Sequence, residues 1–80
     1  MYALKLDAPA EAAWDALPPL ASENLTRALA MACAHPLEAT HPYGVDDKVI
    51  RQILTPEVRA ILLVGHNTRT IAVLQIDDLR

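Results

Sequence analysis

Residues 49–76, VIRQILTPEVRAILLVGHNTRTIAVLQI, constrain the fold more than any other stretch. Three apolar runs of about six to eight residues, frequent in side chains branched at Cβ, are separated by two turn signals. The signals are Thr55-Pro56-Glu57 and Gly65-His66-Asn67-Thr68. Branched side chains pack well on a pleated surface, so runs this short read as strands. The connections are too short for a crossover, which parallel neighbours require, so an antiparallel meander is expected. The rest of the chain has to cover it.

The preceding residues supply that cover. Tyr2, Leu4 and Leu6 alternate with Ala3, Lys5 and Asp7, the pattern of a short half-buried strand. Asp7 is a good helix cap, and Pro9 fits the first turn after it, where a missing N–H costs nothing. Ala10, Ala13, Trp14 and Leu17 recur at helical spacing and predict a helix over 8–17 with Trp14 as a core anchor. Pro18-Pro19 ends it, because a residue before proline is pushed out of the helical region. The second proline can open a new helix running to about Ala34, with Leu25, Ala28, Leu29, Ala32 and Cys33 as its apolar stripe. His35-Pro36 stops that helix. Two helices joined so tightly form an antiparallel hairpin.

Residues 35–48 read as one long connecting loop. Its His35, His41 and Asp46 or Asp47 match no tight metal-ligand pattern, so neither a metal nor a cofactor is expected. Eighty residues allow one domain, 1–80, with a small core. The single cysteine excludes an intramolecular disulfide. Cys33 falls near a helix C-terminus, where the dipole disfavours a thiolate, and reads as a small buried apolar residue. No apolar run approaches the roughly 18 to 20 residues that span a bilayer. The N-terminus alternates and then turns acidic, unlike a signal peptide, so a cytoplasmic protein is the default expectation.

Net charge is −3, a poor start for a nucleic-acid binder, but it is unevenly spread. Residues 1–47 carry −5 and residues 48–80 carry +2. A three-residue first turn pairs Leu54 with Val58 and sorts the meander onto two faces. Ile50, Leu54, Val58, Leu62, Val64, Ile71 and Val73, with Gln52 and Gln75, then face the helices. Arg51 and Arg59 fall together on the other face, among Ile53, Ile61, Leu63, Ala72, Leu74 and Ile76. A slip of one residue in that turn would separate the two arginines. The uncovered face is apolar enough to want a partner.

The order strand, helical hairpin, loop, three-stranded meander resembles the RelE/ParE superfamily of bacterial toxin–antitoxin toxins. Trp14-Asp15-Ala16-Leu17-Pro18 is similar to the family's helix-breaking Leu-Pro, and Ala34-His35-Pro36 to its second helix ending. Arg59-Ala60-Ile61-Leu62-Leu63-Val64 resembles its R-x-hydrophobic-Tyr strand, with Leu62 where the family often has Tyr. Residues 70–76, TIAVLQI, resemble its last strand, followed here by Asp77-Asp78-Leu79 rather than a basic ending.

The resemblance implies an α+β fold, β-α-α-β-β-β, with the helical hairpin on one face of an antiparallel sheet. It implies a toxin-like protein held by a cognate antitoxin. One branch of the family cleaves messenger RNA on the ribosome, by attack of a ribose 2′-oxygen on the neighbouring phosphate. That chemistry needs a base, an acid and a cation for the developing charge. Arg59 and Arg51 are the expected catalytic residues, and Lys48, Arg69 and Arg80 the expected RNA contacts. The other branch poisons gyrase, and an inactive relative that only binds a protein partner is a third reading. A homodimer would also cover the apolar face.

Overall fold

The computed structural model describes residues 1–45 and 48–80. The elements are β1 (Ala3–Leu6), α1 (Ala8–Asp15), α2 (Pro19–Ala34), β2 (His41–Pro42), β3 (Ile50–Leu54), β4 (Val58–Gly65) and β5 (Thr70–Asp78). The strands form one sheet in the order β1-β5-β4-β3-β2. The meander β3-β4-β5 is antiparallel, as expected. β1 lies parallel to β5, pairing Ala3 with Thr70 and Leu6 with Val73, so the sheet as a whole is mixed. A parallel pair needs a long crossover, and here the two helices and the first two strands of the meander lie between its members. The expected loop also contributes β2, which pairs His41 with Gln52 at the far edge. Asp46 and Asp47 lie outside the described residues.

Local chemistry sets the helices. The Asp7 side chain accepts a hydrogen bond from Ala10 N at 2.9 Å, with Pro9 in the first turn. Asp7→Ala is therefore expected to cost about 1 kcal/mol, read from chemical denaturation. α1 ends two residues before the boundary expected at Leu17, whose N–H turns back to Trp14 O at 3.0 Å. α2 starts on Pro19 and ends at Ala34, as the prolines dictate. It buries Ala21, Leu25, Leu29, Ala32 and Cys33 against Val58, Ala60, Leu62, Val64, Ile71 and Val73 of the sheet. Three of these contacts are alanines, which let helix and sheet approach closely. Trp14 and Leu17 pack on the rim of this core. Burial pushes the Cys33 thiol up from its ordinary value, as suits a packing residue.

The first hairpin turn departs from expectation by one residue. Leu54 pairs with Arg59, not with Val58. Pro56 presets the backbone for position two of a four-residue turn, Thr55-Pro56-Glu57-Val58, so Thr55 closes the turn instead of lying inside it. Thr55 N donates to Val58 O at 2.9 Å, and Val58 N donates to Thr55 Oγ1 at 3.0 Å. Asn24 of α2 reaches Glu57 Oε1 at 3.0 Å and ties the turn to the helix layer.

This single-residue difference reverses β3. Arg51 and Ile53 now share the core face with Leu62 and Ala60, while Ile50, Gln52 and Leu54 face outward with Leu63, Ile61 and Arg59. The second turn keeps the expected sides for Val64, Ile71 and Val73, closing on Gly65 opposite Thr70. A Cβ at Gly65 would come within 2.6 Å of Thr68 Oγ1 and 2.9 Å of Thr70 Oγ1. Further along, the register jumps between Ile61 and Leu62, leaving Leu74 as an extra residue in β5. That bulge turns Ile76 into the core, opposite its expected side.

Candidate active site on the open sheet face

Arg59 stands on the open face of β4, directly across from Asp77 of β5. Its Nε and Nη2 both donate to Asp77 Oδ2, at 3.1 and 2.8 Å. The other carboxylate oxygen accepts from Gln75 Nε2 at 2.7 Å. The Tyr43 ring, arriving from the segment after β2, lies with its centroid 6.0 Å from the guanidinium carbon. Arg59 thus combines a cation, a flat ring and a carboxylate on a surface open to solvent. Leu54, Leu63 and Leu74 are exposed large apolar residues of the meander.

A second charged pair sits at the same end of the sheet. Arg80 donates through its backbone N to Asp78 Oδ1 at 3.0 Å, through Nε to the same oxygen at 2.8 Å, and through Nη2 to Oδ2. These bonds hold the Asp78 carboxyl at about 2. Gln75, and after it Arg59, lower Asp77 in the same direction. A carboxylate with a depressed folded value stabilises the fold above the ordinary aspartate range, and that contribution is lost as pH falls through the folded value. A carboxyl NMR titration should place the Asp78 midpoint near 2, and Arg80→Ala, which removes the side-chain bonds but keeps the backbone donor, should raise it toward the ordinary range.

Arg51, expected beside Arg59, is not on this face. The turn register places it on the core side, where it is only 5% exposed. Its Nε donates to Thr40 Oγ1 at 2.9 Å, and its Nη2 to Thr40 O at 3.0 Å and Leu37 O at 3.2 Å. The expectation of two adjacent guanidiniums on the open face is therefore corrected. Arg51 pins the segment between α2 and β2 to the sheet.

The three cations expected to contact RNA are also divided. Arg80 is at the Arg59 end of the sheet but is bound to Asp78, which pairs with core-facing Val58 and so lies on the other side of the strand from Asp77. Lys48 precedes β3 and Arg69 ends the β4–β5 turn, at the opposite end of the sheet. Arg59 is six residues from the end of β4, a separation of about 20 Å. Tyr43 and Gln75 join the site without a sequence signal that marks them. Strict alternation puts Gln75 on the helix side, and only the bulge at Leu74 brings it round to Asp77.

No family model matches the chain, and no curated protein matches it. Solved structures do match in fold. The isolated Escherichia coli RelE toxin superposes with a TM-score of 0.84 at 22% identity, covering 100% of this chain and 86% of that one. The intact E. coli RelBE toxin–antitoxin complex gives 0.82 at 22% identity, covering 100% and 99%. The RelBE2 toxin–antitoxin complex from Mycobacterium tuberculosis gives 0.80 at 17% identity, covering 96% of each chain.

Proposed function

Because the chain has the fold of the RelE toxins, we propose that it is the toxin-like member of a type II toxin–antitoxin pair. In this reading it acts in the cytoplasm, is neutralised by a cognate antitoxin, and cleaves messenger RNA on the ribosome with Arg59 on the reacting phosphate. The observation that carries the reading is the whole-chain likeness to isolated RelE, with a TM-score of 0.84 over 100% of this chain.

Arg59 supports the chemistry. Its side chain is 36% exposed and its partner Asp77 27%, so their ion pair is screened by water and gives way to a stronger anion. A phosphate accepts two parallel N–H bonds from a guanidinium, which matches the Arg59 fork. As the 2′-oxygen attacks, charge grows on the phosphoryl oxygens, and Arg59 is the group placed to meet it. Tyr43 offers a ring on which an unstacked base can rest. Arg51 is a scaffold residue in this scheme. The exposed leucines of the sheet support coverage by an apolar antitoxin segment.

One observation favours a second reading. Asp77 and Gln75 close the polar ring around Arg59, as would suit an inactive RelE-fold protein that only binds a partner. Induced expression in a bacterium separates the readings. Growth arrest with messages cut in the ribosomal A site is the expected result. DNA breaks with an SOS response would instead place the target at gyrase. Unimpaired growth with a tight protein partner, or with a self-dimer, would leave only the binding module.

A further inference from the structure

We infer that Tyr2 and His66, together with Lys48 and Arg69, form a second RNA-contacting corner at the end of the sheet opposite Arg59. It takes a phosphate and a neighbouring base of a single strand, and it rests on the RNA-directed reading above.

The first support is a fixed imidazole. His66 Nε2 lies 2.6 Å from the Lys48 carbonyl oxygen, which can only accept, so Nε2 carries the proton. In the neutral ring Nδ1 is then an acceptor, and the Tyr2 hydroxyl donates to it at 3.2 Å. The two rings meet edge to face, 6.2 Å between centroids at 84°. His66 is exposed and Tyr2 half-buried, so an oriented aromatic surface stays open to solvent.

The second support is where the cations stand. Lys48 and Arg69 have φ of 64° and 53°, and they are the non-glycine residues with positive φ among those described. Such positions are ordinarily filled by glycine, which has no Cβ to crowd the following carbonyl oxygen, or by asparagine, whose short amide bonds locally. Here both carry a long cation instead, a local rule broken twice at one corner. The Lys48 carbonyl holds His66, and the Arg69 carbonyl accepts from Ala3 N at 2.9 Å, next to Tyr2. Neither side chain forms an ion pair among the described residues. Two uncommitted cations beside oriented rings match what single-stranded nucleic acid requires, phosphate neutralisation plus a stacking platform.

The test uses the full chain and a labelled eight-nucleotide uridine RNA, with anisotropy read over a salt series. Lys48→Asn and Arg69→Asn suit the left-handed backbone, so thermal stability should be kept or raised. Each should weaken binding about fivefold at 0.1 M salt and reduce the log–log salt slope by about 0.7. Tyr2→Ala and His66→Ala should weaken it about fivefold or more through lost stacking. Wild-type affinity in both asparagine variants, or no RNA binding by the wild type, would overturn the inference. Growth arrest is read separately. Arrest by a chain whose asparagine variants bind normally removes the corner and keeps the toxin reading; the reverse pattern keeps the corner and removes the toxin reading.

Discussion

Arg51→Ala is expected to lower stability by about 3 kcal/mol, although it replaces a charged residue on a small acidic protein. The guanidinium is buried beside Leu62 and gives hydrogen bonds to Thr40 Oγ1, Thr40 O and Leu37 O. Thr40 is itself buried, and its hydroxyl donates onward to Pro36 O. Truncation leaves buried oxygens without donors and frees the segment that leads into β2. An unsatisfied buried group costs about 1–3 kcal/mol, and more than one is created here. For a domain of this size each kcal/mol moves the melting temperature by about 4–8 °C, so thermal unfolding followed by circular dichroism should show a drop of about 12–24 °C. Arg51→Lys keeps the charge but not the planar fork and should recover only part of the loss. Unchanged stability together with lost RNA cleavage would move Arg51 back among the catalytic residues.

Arg59→Ala should do the opposite, leaving the fold intact while cutting ribosome-dependent cleavage by about 100-fold or more, the usual cost of removing a donor to developing charge. The side chain is half-exposed and its ion pair lies at the surface, so little stability goes with it. Asp77→Asn is the informative companion. It removes the carboxylate that occupies Arg59 without shortening the side chain, and should strengthen phosphate binding while leaving Arg59 in place. Purified variants assayed on programmed ribosomes read both effects. Equal activity in wild type and Arg59→Ala would remove Arg59 from the chemistry.

Much of this architecture is legible in the residues because each signal has a strong local cause. Asp7, Pro9, Pro18, Pro19 and Pro36 punctuate two helices whose positions they almost dictate. The meander follows from three branched apolar runs and two turns. Sidedness is a weaker signal, because β3 and β4 are apolar on both faces and either register buries acceptable side chains. Ile50 and Ile53 are equivalent to a periodicity argument, and so are Leu54 and Val58. What decides between them is Thr55, whose backbone and hydroxyl close the turn around Pro56. One residue there separates Arg51 from Arg59 and changes an expected pair of exposed guanidiniums into one exposed cation and one buried scaffold cation.

The bulge at Leu74 was illegible for a similar reason, since no glycine marks it. It is nonetheless what aligns Gln75, Asp77 and Arg59 on one side. Opposite charges across neighbouring strands were a usable clue to the Arg59–Asp77 pair, given the register. The corner at Tyr2 and His66 joins residues 64 positions apart and follows only from the parallel contact of β1 with β5.

The central claim, that Arg59 serves a RelE-type cleavage from the open face without Arg51, is tested most directly by adding the purified chain to ribosomes stalled on a defined message and mapping the ends by primer extension. Cuts within the A-site codon by wild type, fading about 100-fold with Arg59→Ala, are the predicted result. An uncut message at stoichiometric wild-type protein would contradict it.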